Sequence, residues 1–435
     1  MVPTKKSMMK RLLFVIVCTA FNIGYSQSLD DSTSVANLPE FVRMDTSLKS
    51  TYPFINFQKN YFSFHSYTSK NWVNFNTSFS KMTEVKKGKM NFYHIGGSHL
   101  QADIYTNDFR TFLQTNWPEI PGERGIVFPF DLAHTNNPSN YEFNSPNQWK
   151  GYRSVNHRPE GLEYGLMGAA LVCSDSIITL SFRHDKTIVK PPYTQLRIYH
   201  NKGQIPFDLN FGEDELLVEH VEQDTLHGFT TIFFVDNVQE LDLQFMRNQQ
   251  EPFALQLDGF QFMNNDPGIS YTSIGVNGAG LYTYLENKNF EEQLSLYPPD
   301  FFAFSVGTND ANVPTSQFDP LKYKSNLEKM IQKVLRANPK CAILLTVPND
   351  SYFHKTQLNY NIAKQRTVIQ ELAAQYELAV WDLYGIMGEL GASKIWQRNG
   401  LMQNDLVHFT PVGYHLKGSL LIDAFLKLSL QLHSN

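Results

Sequence analysis

Three residues have the types needed for nucleophilic acyl transfer: Ser98 and, about 300 positions further on, Asp405 and His408. Ser98 lies in Ile95-Gly96-Gly97-Ser98-His99-Leu100-Gln101-Ala102-Asp103. Two glycines before a serine let the backbone turn with no Cβ in the way. A helix starting there points N–H groups at any negative charge that forms beside the hydroxyl. Serine is also a favoured helix N-cap, so on this stretch alone capping and catalysis stand about level. Asp405 and His408 lie three apart in Asn404-Asp405-Leu406-Val407-His408-Phe409-Thr410-Pro411, just before a helix start. A loop with that spacing can present both side chains to one point, His408 as general base and Asp405 as the carboxylate that orients it. A serine hydroxyl is a weak nucleophile until an imidazole takes its proton. Chance spacing or helix capping explains most isolated Asp-x-x-His pairs, so the value of this one comes from its company.

That company is Gly278, in Ile274-Gly275-Val276-Asn277-Gly278-Ala279, and Asn309, in Val306-Gly307-Thr308-Asn309-Asp310. The backbone N–H of Gly278 and the side-chain amide of Asn309 can join the N–H of Ser98 as oxyanion donors. Losing one such donor costs about 3 kcal/mol of transition-state stabilisation. Singly, each has a plainer explanation, a helix-start glycine and an asparagine in an Asx-turn.

The elements around these residues follow from periodicity. Met90 to Ile95 reads as a strand ending at the Ser98 turn, and Gln101 to Asn116 as one helix. Asn71 to Val85 is helical, with Trp72, Phe75 and Phe79 at three-to-four spacing. From Pro118 to Asp266 no amphipathic helix is visible. Seven strand-like runs stand there instead: Ala169–Val172, Ile177–Phe182, Gln195–His200, Glu215–Val221, Thr230–Val235, Leu241–Phe245 and Phe253–Phe262. Short alternating strands at this spacing predict an inserted β-sandwich. From Ile269 the chain alternates again. Strands Ile269–Val276, Asp300–Gly307, Ala342–Val347 and Ala379–Leu383 interleave with helices Gly278–Leu296, Leu321–Ala337, Leu358–Tyr376 and one from Thr410-Pro411. All-apolar strands between helices mean a parallel sheet covered on both faces. Ser98, Gly278, Asn309 and the Pro348 turn each follow a strand, so they belong at one edge, where such sheets bind ligands.

The N-terminus reads as an export signal: Lys5, Lys6, Lys10 and Arg11, the apolar run Leu12 to Ala20, then Gly24 and Ser26 before cleavage at Gln27. The run is too short to anchor the chain in a bilayer, and Val17 before Cys18 argues against a lipoprotein site. Ser28 to Ser50 is a polar leader. Of 435 residues, 37 are Lys or Arg and 42 Asp or Glu, a net charge of −5 that argues against nucleic acid as partner. A hydrophobic share of 42% is ample for a core, and the 33 Phe and 21 Tyr can fill a sandwich interior or line a carbohydrate site. Cys173 and Cys341 occupy stretches of different character, so two buried thiols are expected over a disulfide.

Taken together the blocks resemble the SGNH or GDSL hydrolase superfamily: Gly97-Ser98, Gly278, Gly307-Thr308-Asn309-Asp310 and Asp405-Leu406-Val407-His408, in that order. The family's usual Asp before the serine is Gly97 here; that position shapes the turn and is not the triad acid. The resemblance implies a flavodoxin-like three-layer αβα sandwich with a parallel sheet, interrupted by an all-β, jelly-roll-like sandwich. The expected organisation is a signal peptide over 1–26, a leader over 27–70, and a hydrolase domain formed by 71–117 and 266–435 on either side of an insertion over 118–265. The resemblance implies Ser98 as nucleophile, Asp405 and His408 as its partners, and Ser98, Gly278 and Asn309 as oxyanion donors, with no cofactor and no metal. Ser-His-Leu-Gln-Ala-Asp followed by a β-rich insertion further resembles the peptidoglycan O-acetylesterase subgroup. That resemblance implies a periplasmic or secreted esterase whose partner is an acylated glycan, with no membrane span after signal removal. Asp103 is then expected on a helix surface, His99 in the site wall, and His415 in packing or at the surface. A lipase, thioesterase or acyltransferase on the same residues, or a non-catalytic glycan-binding protein, are the competing readings.

Overall fold

A computed structural model describes residues 46–66, 69–156, 158–184 and 190–433. The expected signal with Cys18, and nearly all of the Ser28–Ser50 leader, lie outside the described residues. The chain divides into Met1–Pro53, in which the short helix Thr46–Thr51 is described, and Phe54–Asn435, which holds everything below.

Strands β1 (Phe62–Phe64) and β2 (Lys89–Gly96) come first. The β-rich stretch supplies β3 (Gly125–Val127), β4 (Tyr141–Asn144), β5 (Lys150–Arg153), β6 (Ala169–Cys173), β7 (Ile177–His184), β8 (Tyr193–His200), β9 (Phe207–Asn210), β10 (Val218–Asp224), β11 (Phe229–Val238), β12 (Leu241–Arg247) and β13 (Leu255–Met263). Then follow β14 (Gly268–Gly275), β15 (Phe301–Ser305), β16 (Ala342–Val347), the hairpin β17 (Tyr352–Phe353) with β18 (Gln357–Leu358), and β19 (Ala379–Asp382).

The first sheet has the order β1-β19-β16-β15-β2-β14. Its last five strands run parallel, and β1 closes the edge antiparallel to β19. β15 and β16 are buried along nearly their whole length because both of their faces are covered. On one face the rings of Phe92 and Phe301 meet Phe75 of the helix Lys70–Val85, and Phe92 meets Phe425 of the last helix, Pro411–His433. On the other, Phe302 and Phe304 join one apolar cluster with Leu327 and Ile331 of the helix Pro320–Ala337 and Ile362 and Ile369 of Asn361–Tyr376. Each such buried ring contributes about 1.5–3 kcal/mol.

β1 lies in the stretch expected to be leader. Phe62 pairs with Trp381 and is fully buried, and Asn60 accepts the indole N–H of Trp381 at 3.0 Å. Three residues are too few to show an alternation, which is why the sequence hides this strand.

The β-rich stretch forms two antiparallel sheets. One has the order β10-β11-β8-β13-β6-β5 with β3 also on β13; the other is β4-β7-β12-β9. They pack face to face through Phe182 and Phe262, with centroids 4.2 Å apart, and Phe143 and Phe260, 4.8 Å apart. The seven expected strands are present with shifted ends. The one expected from Glu215 begins at Val218, after a 3₁₀ turn over Gly212–Leu217. The additional strands β3, β4, β5 and β9 have three or four residues each. Cys173 and Cys341 are buried free thiols. Among the described residues no helix is long and apolar enough to cross a membrane.

Candidate active site

β14 and β15 both flank β2, with Gly275 and Ser305 in register with Gly96. The turns after these three strands therefore meet at the carboxyl edge of the sheet. The expected helix from Gln101 to Asn116 is broken there. A single turn, Ser98–Gln101, follows Gly97, and the longer helix Tyr105–Thr115 starts only after Asp103, which has a φ of 44°. The expected Gly278–Leu296 helix is likewise two short ones, Leu281–Leu285 and Phe290–Leu296.

Ser98 Oγ lies 2.7 Å from His408 Nε2, and His408 Nδ1 lies 2.7 Å from Asp405 Oδ2. The second oxygen of Asp405 accepts the backbone N–H groups of Val407 and His408, each at 2.9 Å. One carboxylate oxygen thus shapes the loop and the other holds the imidazole. Burial pushes the Asp405 carboxyl up, but its hydrogen bonds from the His408 ring and from the two N–H groups outweigh burial and hold it below the ordinary carboxylate range. An ionised Asp405 requires a proton on Nδ1, which leaves Nε2 free to accept from the serine. Leu406 takes a φ of 58° in this turn. The loop is tied down by the Asn349 amide, which donates to the Val407 carbonyl at 3.1 Å, and by the Tyr352 N–H on the Leu406 carbonyl. Both partners come from the segment after β16 and are not evident from the sequence; an asparagine next to the Pro348 turn is the only signal for either.

Asn309, on the turn Thr308–Ala311 after β15, donates one amide hydrogen to the Ala279 carbonyl at 2.9 Å. Its second amide hydrogen is left for another acceptor. Gly278 has a φ of +86°, in the left-handed region that favours glycine. Gly97 is glycine for a different reason. Its φ is −102°, but an added Cβ would stand 2.8 Å from Asn309 Nδ2 and 3.2 Å from the Ala279 carbonyl oxygen. The Ser98 turn, the Gly278 turn and the Asn309 amide are therefore packed directly together. Asp310 braces them by accepting the Leu281 N–H at 3.2 Å; burial lifts its carboxyl to about 6, against the pull of that N–H.

The neighbours of Ser98 divide into two groups. His99 is buried, with Nδ1 2.8 Å from the Tyr414 hydroxyl and its ring centroid 5.1 Å from that of His408. Burial, then Lys417 and His408, hold it far below the usual imidazole range, so it is a neutral wall residue. His415 pairs with Asp108 at 2.8 Å near the surface. Asp103 is not on a helix surface. It is 4% exposed and lies 2.8 Å from Arg110 Nη2 and 3.3 Å from Arg124 Nη2, and it also accepts from Thr106 and Asn140. Burial alone would raise its carboxyl, yet the two guanidinium groups bring it to about 2. The helix break turns this side chain inward. Gln101 is a further support that no sequence pattern marks. Its amide donates to Thr135 Oγ1 at 3.1 Å and the Asn136 carbonyl at 2.7 Å, while its oxygen accepts the Asn277 N–H at 2.6 Å.

Residues 248–416 match the GDSL-like Lipase/Acylhydrolase family. The match takes in Gly278, Asn309, Asp405 and His408 and leaves out Ser98, which the insertion separates from them. No curated protein sequence matches the chain. Among solved structures, a peptidoglycan O-acetylesterase is similar with a TM-score of 0.66 at 17% identity, covering 86% of this chain and 99% of that one. An acetyl xylan esterase is similar over 36% of this chain and 81% of its own at 21% identity and a TM-score of 0.30. A GDSL-like lipase from Bacteroides thetaiotaomicron is similar over 36% and 76% at 22% identity and a TM-score of 0.29. The first likeness is one of fold, and its coverage takes in the β-rich insertion as well as the parallel sheet. Residues 248–416 therefore match a family of ester hydrolases, the GDSL-like lipases and acylhydrolases, and the chain has an SGNH-type fold that resembles that of a peptidoglycan O-acetylesterase.

Proposed function

We propose that the protein is an exported esterase that removes O-acetyl groups from a glycan, with Ser98, His408 and Asp405 as its catalytic triad. The observation that carries this reading is the pair of 2.7 Å contacts linking Ser98 Oγ, His408 and Asp405. His408 takes the serine proton as Oγ attacks the acetyl carbonyl, and Asp405 stabilises the imidazolium that results. The N–H groups of Ser98 and Gly278 and the free hydrogen of the Asn309 amide receive the negative oxygen. Collapse of this intermediate returns the proton to the departing sugar hydroxyl and leaves acetyl on Ser98. Water, deprotonated by the same imidazole, then releases acetate. The glycan as substrate is supported by the fold likeness to a peptidoglycan O-acetylesterase and by the insertion packed at the site; export is supported by the basic and apolar N-terminus. Hydrolysis of 4-nitrophenyl acetate, butyrate and octanoate by wild type and Ser98→Ala tests the reading. Turnover that prefers acetate and falls by at least about 10³ in the variant is expected. Undiminished turnover by Ser98→Ala overturns the nucleophile, and a preference for octanoate overturns the acetyl substrate.

A further inference from the structure

Next to the candidate active site is a polar cavity of about 310 Å³ that the reaction above does not use. Ser154, Tyr164 and Asn287 line it, with Asn156, Arg158 and Glu286. Asn287 is fully buried and Tyr164 is 2% exposed. Ser154 Oγ, the Tyr164 hydroxyl and both polar atoms of the Asn287 amide are buried without a hydrogen-bond partner in the protein. Buried polar groups are nearly always paired, and an orphan costs about 1–3 kcal/mol. Four orphans on one cavity mark a place built to be paired by something else.

The geometry of the cavity floor agrees. Gly168 has a φ of +67°, and a Cβ there would stand 3.1 Å from Asn287 Nδ2 and 3.2 Å from Ser154 Oγ. Only a glycine fits beside these groups in that conformation. Two residues beside the cavity lie close to the reaction site. Val155, between Ser154 and Asn156, lies 3.9 Å from where a Cβ on Gly278 would be. Tyr284, whose ring borders Gly168 at 3.4 Å from that same Cβ position, donates its hydroxyl to the Gly96 carbonyl at 2.7 Å, two residues before Ser98. Ser154 and Tyr164 come from the β-rich insertion and Asn287 from the segment after β14, so the cavity spans the two.

We propose that this cavity is a sugar subsite that holds a hydroxyl-bearing pyranose ring next to the acylated one in the glycan chain. Asn287 offers a donor and an acceptor side by side, the match for two vicinal hydroxyls, and Tyr164 and Ser154 each offer a hydroxyl. The volume is at the low end of the roughly 300–1,000 Å³ of ligand pockets, enough for one ring. An acyl tail would leave all four orphans unpaired. The proposal rests on the reading of the protein as a glycan esterase and names which residues of the chain the glycan touches.

The test is calorimetric titration of N-acetylchitotetraose and of xylotetraose into the full chain, with Asn287→Ala and Tyr164→Phe beside wild type. At least one probe should bind, with Kd raised tenfold or more by Asn287→Ala and at least threefold by Tyr164→Phe, which removes one oxygen and keeps the ring. On acetylated xylo-oligosaccharide, kcat/KM should fall at least tenfold in Asn287→Ala relative to its value on 4-nitrophenyl acetate. Failure of both probes to bind wild type, equal affinity in wild type and both variants, or an equal fall on both esters overturns the subsite. An enzyme inactive on every ester that still binds a probe through Asn287 overturns the esterase reading and leaves the sugar site standing. An active esterase that binds neither probe overturns the subsite alone.

Discussion

Gly97→Ala asks whether the Asn309 amide takes part in chemistry. The new methyl would stand 2.8 Å from Asn309 Nδ2 and 3.2 Å from the Ala279 carbonyl oxygen. The crowding has one easy relief, because Nδ2 is the far end of a side chain while the Ala279 oxygen is fixed in a turn. Asn309 rotates away and gives up its 2.9 Å bond to Ala279. For stability this costs about 1 kcal/mol, the net worth of a neutral hydrogen bond. On the proposed mechanism it also removes an oxyanion donor, worth about 10²–10³ in kcat, or roughly 2.7–4 kcal/mol. The assay is kcat on 4-nitrophenyl acetate for wild type, Gly97→Ala, Asn309→Ala and the double variant. Each single should lose about a hundredfold, and the double no more than about threefold beyond either, because one donor can be lost only once. A double that loses the product of the singles, about 10⁴, would show that residue 97 acts through something other than Asn309. Wild-type kcat in Gly97→Ala would refute the argument outright.

Two further substitutions test the frame around the site. Asp103→Ala leaves the guanidinium groups of Arg110 and Arg124 buried side by side with their shared carboxylate gone. Stability should fall by about 3–5 kcal/mol, read as a lower urea midpoint; a change below about 1 kcal/mol would mean that the cluster is not stabilising. Asp258, 4% exposed on β13, has its carboxyl lifted by burial to about 7, against the pull of its hydrogen bond from Gln256. The folded chain therefore binds this proton more tightly than the unfolded chain, whose pKa is about 3.9. The stability it contributes is complete below about pH 4 and is lost as pH rises through 7, with a ceiling of about 4 kcal/mol. Asp258→Asn keeps the shape and removes the charge, so its unfolding midpoint should gain on wild type steadily from pH 4 to pH 8. Parallel curves across that range would refute it.

The strands of the parallel sheet are legible in the sequence because burial on both faces forces unbroken apolar runs such as Phe301–Phe304 and Ala342–Leu345. The strands of the insertion are legible where alternation runs long enough, as in Leu241–Phe245. The insertion's strands of three or four residues, β3, β4, β5 and β9, are not, and neither is β1 at the edge of the first sheet, since no period shows in so few positions. Ser98, Asp405 and His408 stand out by type and spacing, and they meet in space. Their supports do not stand out. Asn349, Tyr352, Gln101 and Asp103 act through backbone groups and ion pairs that form only when distant segments fold together. The helix break at Asp103 is the instructive case. Helical periodicity continues through it, and the pairing with Arg110 on the next helix and with Arg124 and Asn140 from the start of the insertion accompanies the inward turn of the side chain.

That break also shows how an insertion of this size can sit inside a hydrolase sheet without spoiling the site. The chain leaves after the helix Tyr105–Thr115 and returns at the start of β14. Departure and return are joined there by backbone bonds from Gly122 to the Pro267 carbonyl and from Glu123 to the Ile269 carbonyl. This joint lies at the amino end of β2 and β14, where Gly268 pairs with Lys89, the full length of the strands away from Ser98. A second fastening lies at the other end. Gln101 grips Thr135 and Asn136 of the insertion with its amide and the Asn277 N–H with its oxygen, while Asp103 grips Arg124 and Asn140. Fastened at both ends of the β2–β14 pair, the insertion cannot tilt without moving either the turn that carries Ser98 or the one that carries Gly278. On the function proposed above, a glycan held on the insertion is then held in a fixed place relative to Ser98. That is what removal of a small acetyl group demands, since the acetyl itself offers too little surface to position the substrate.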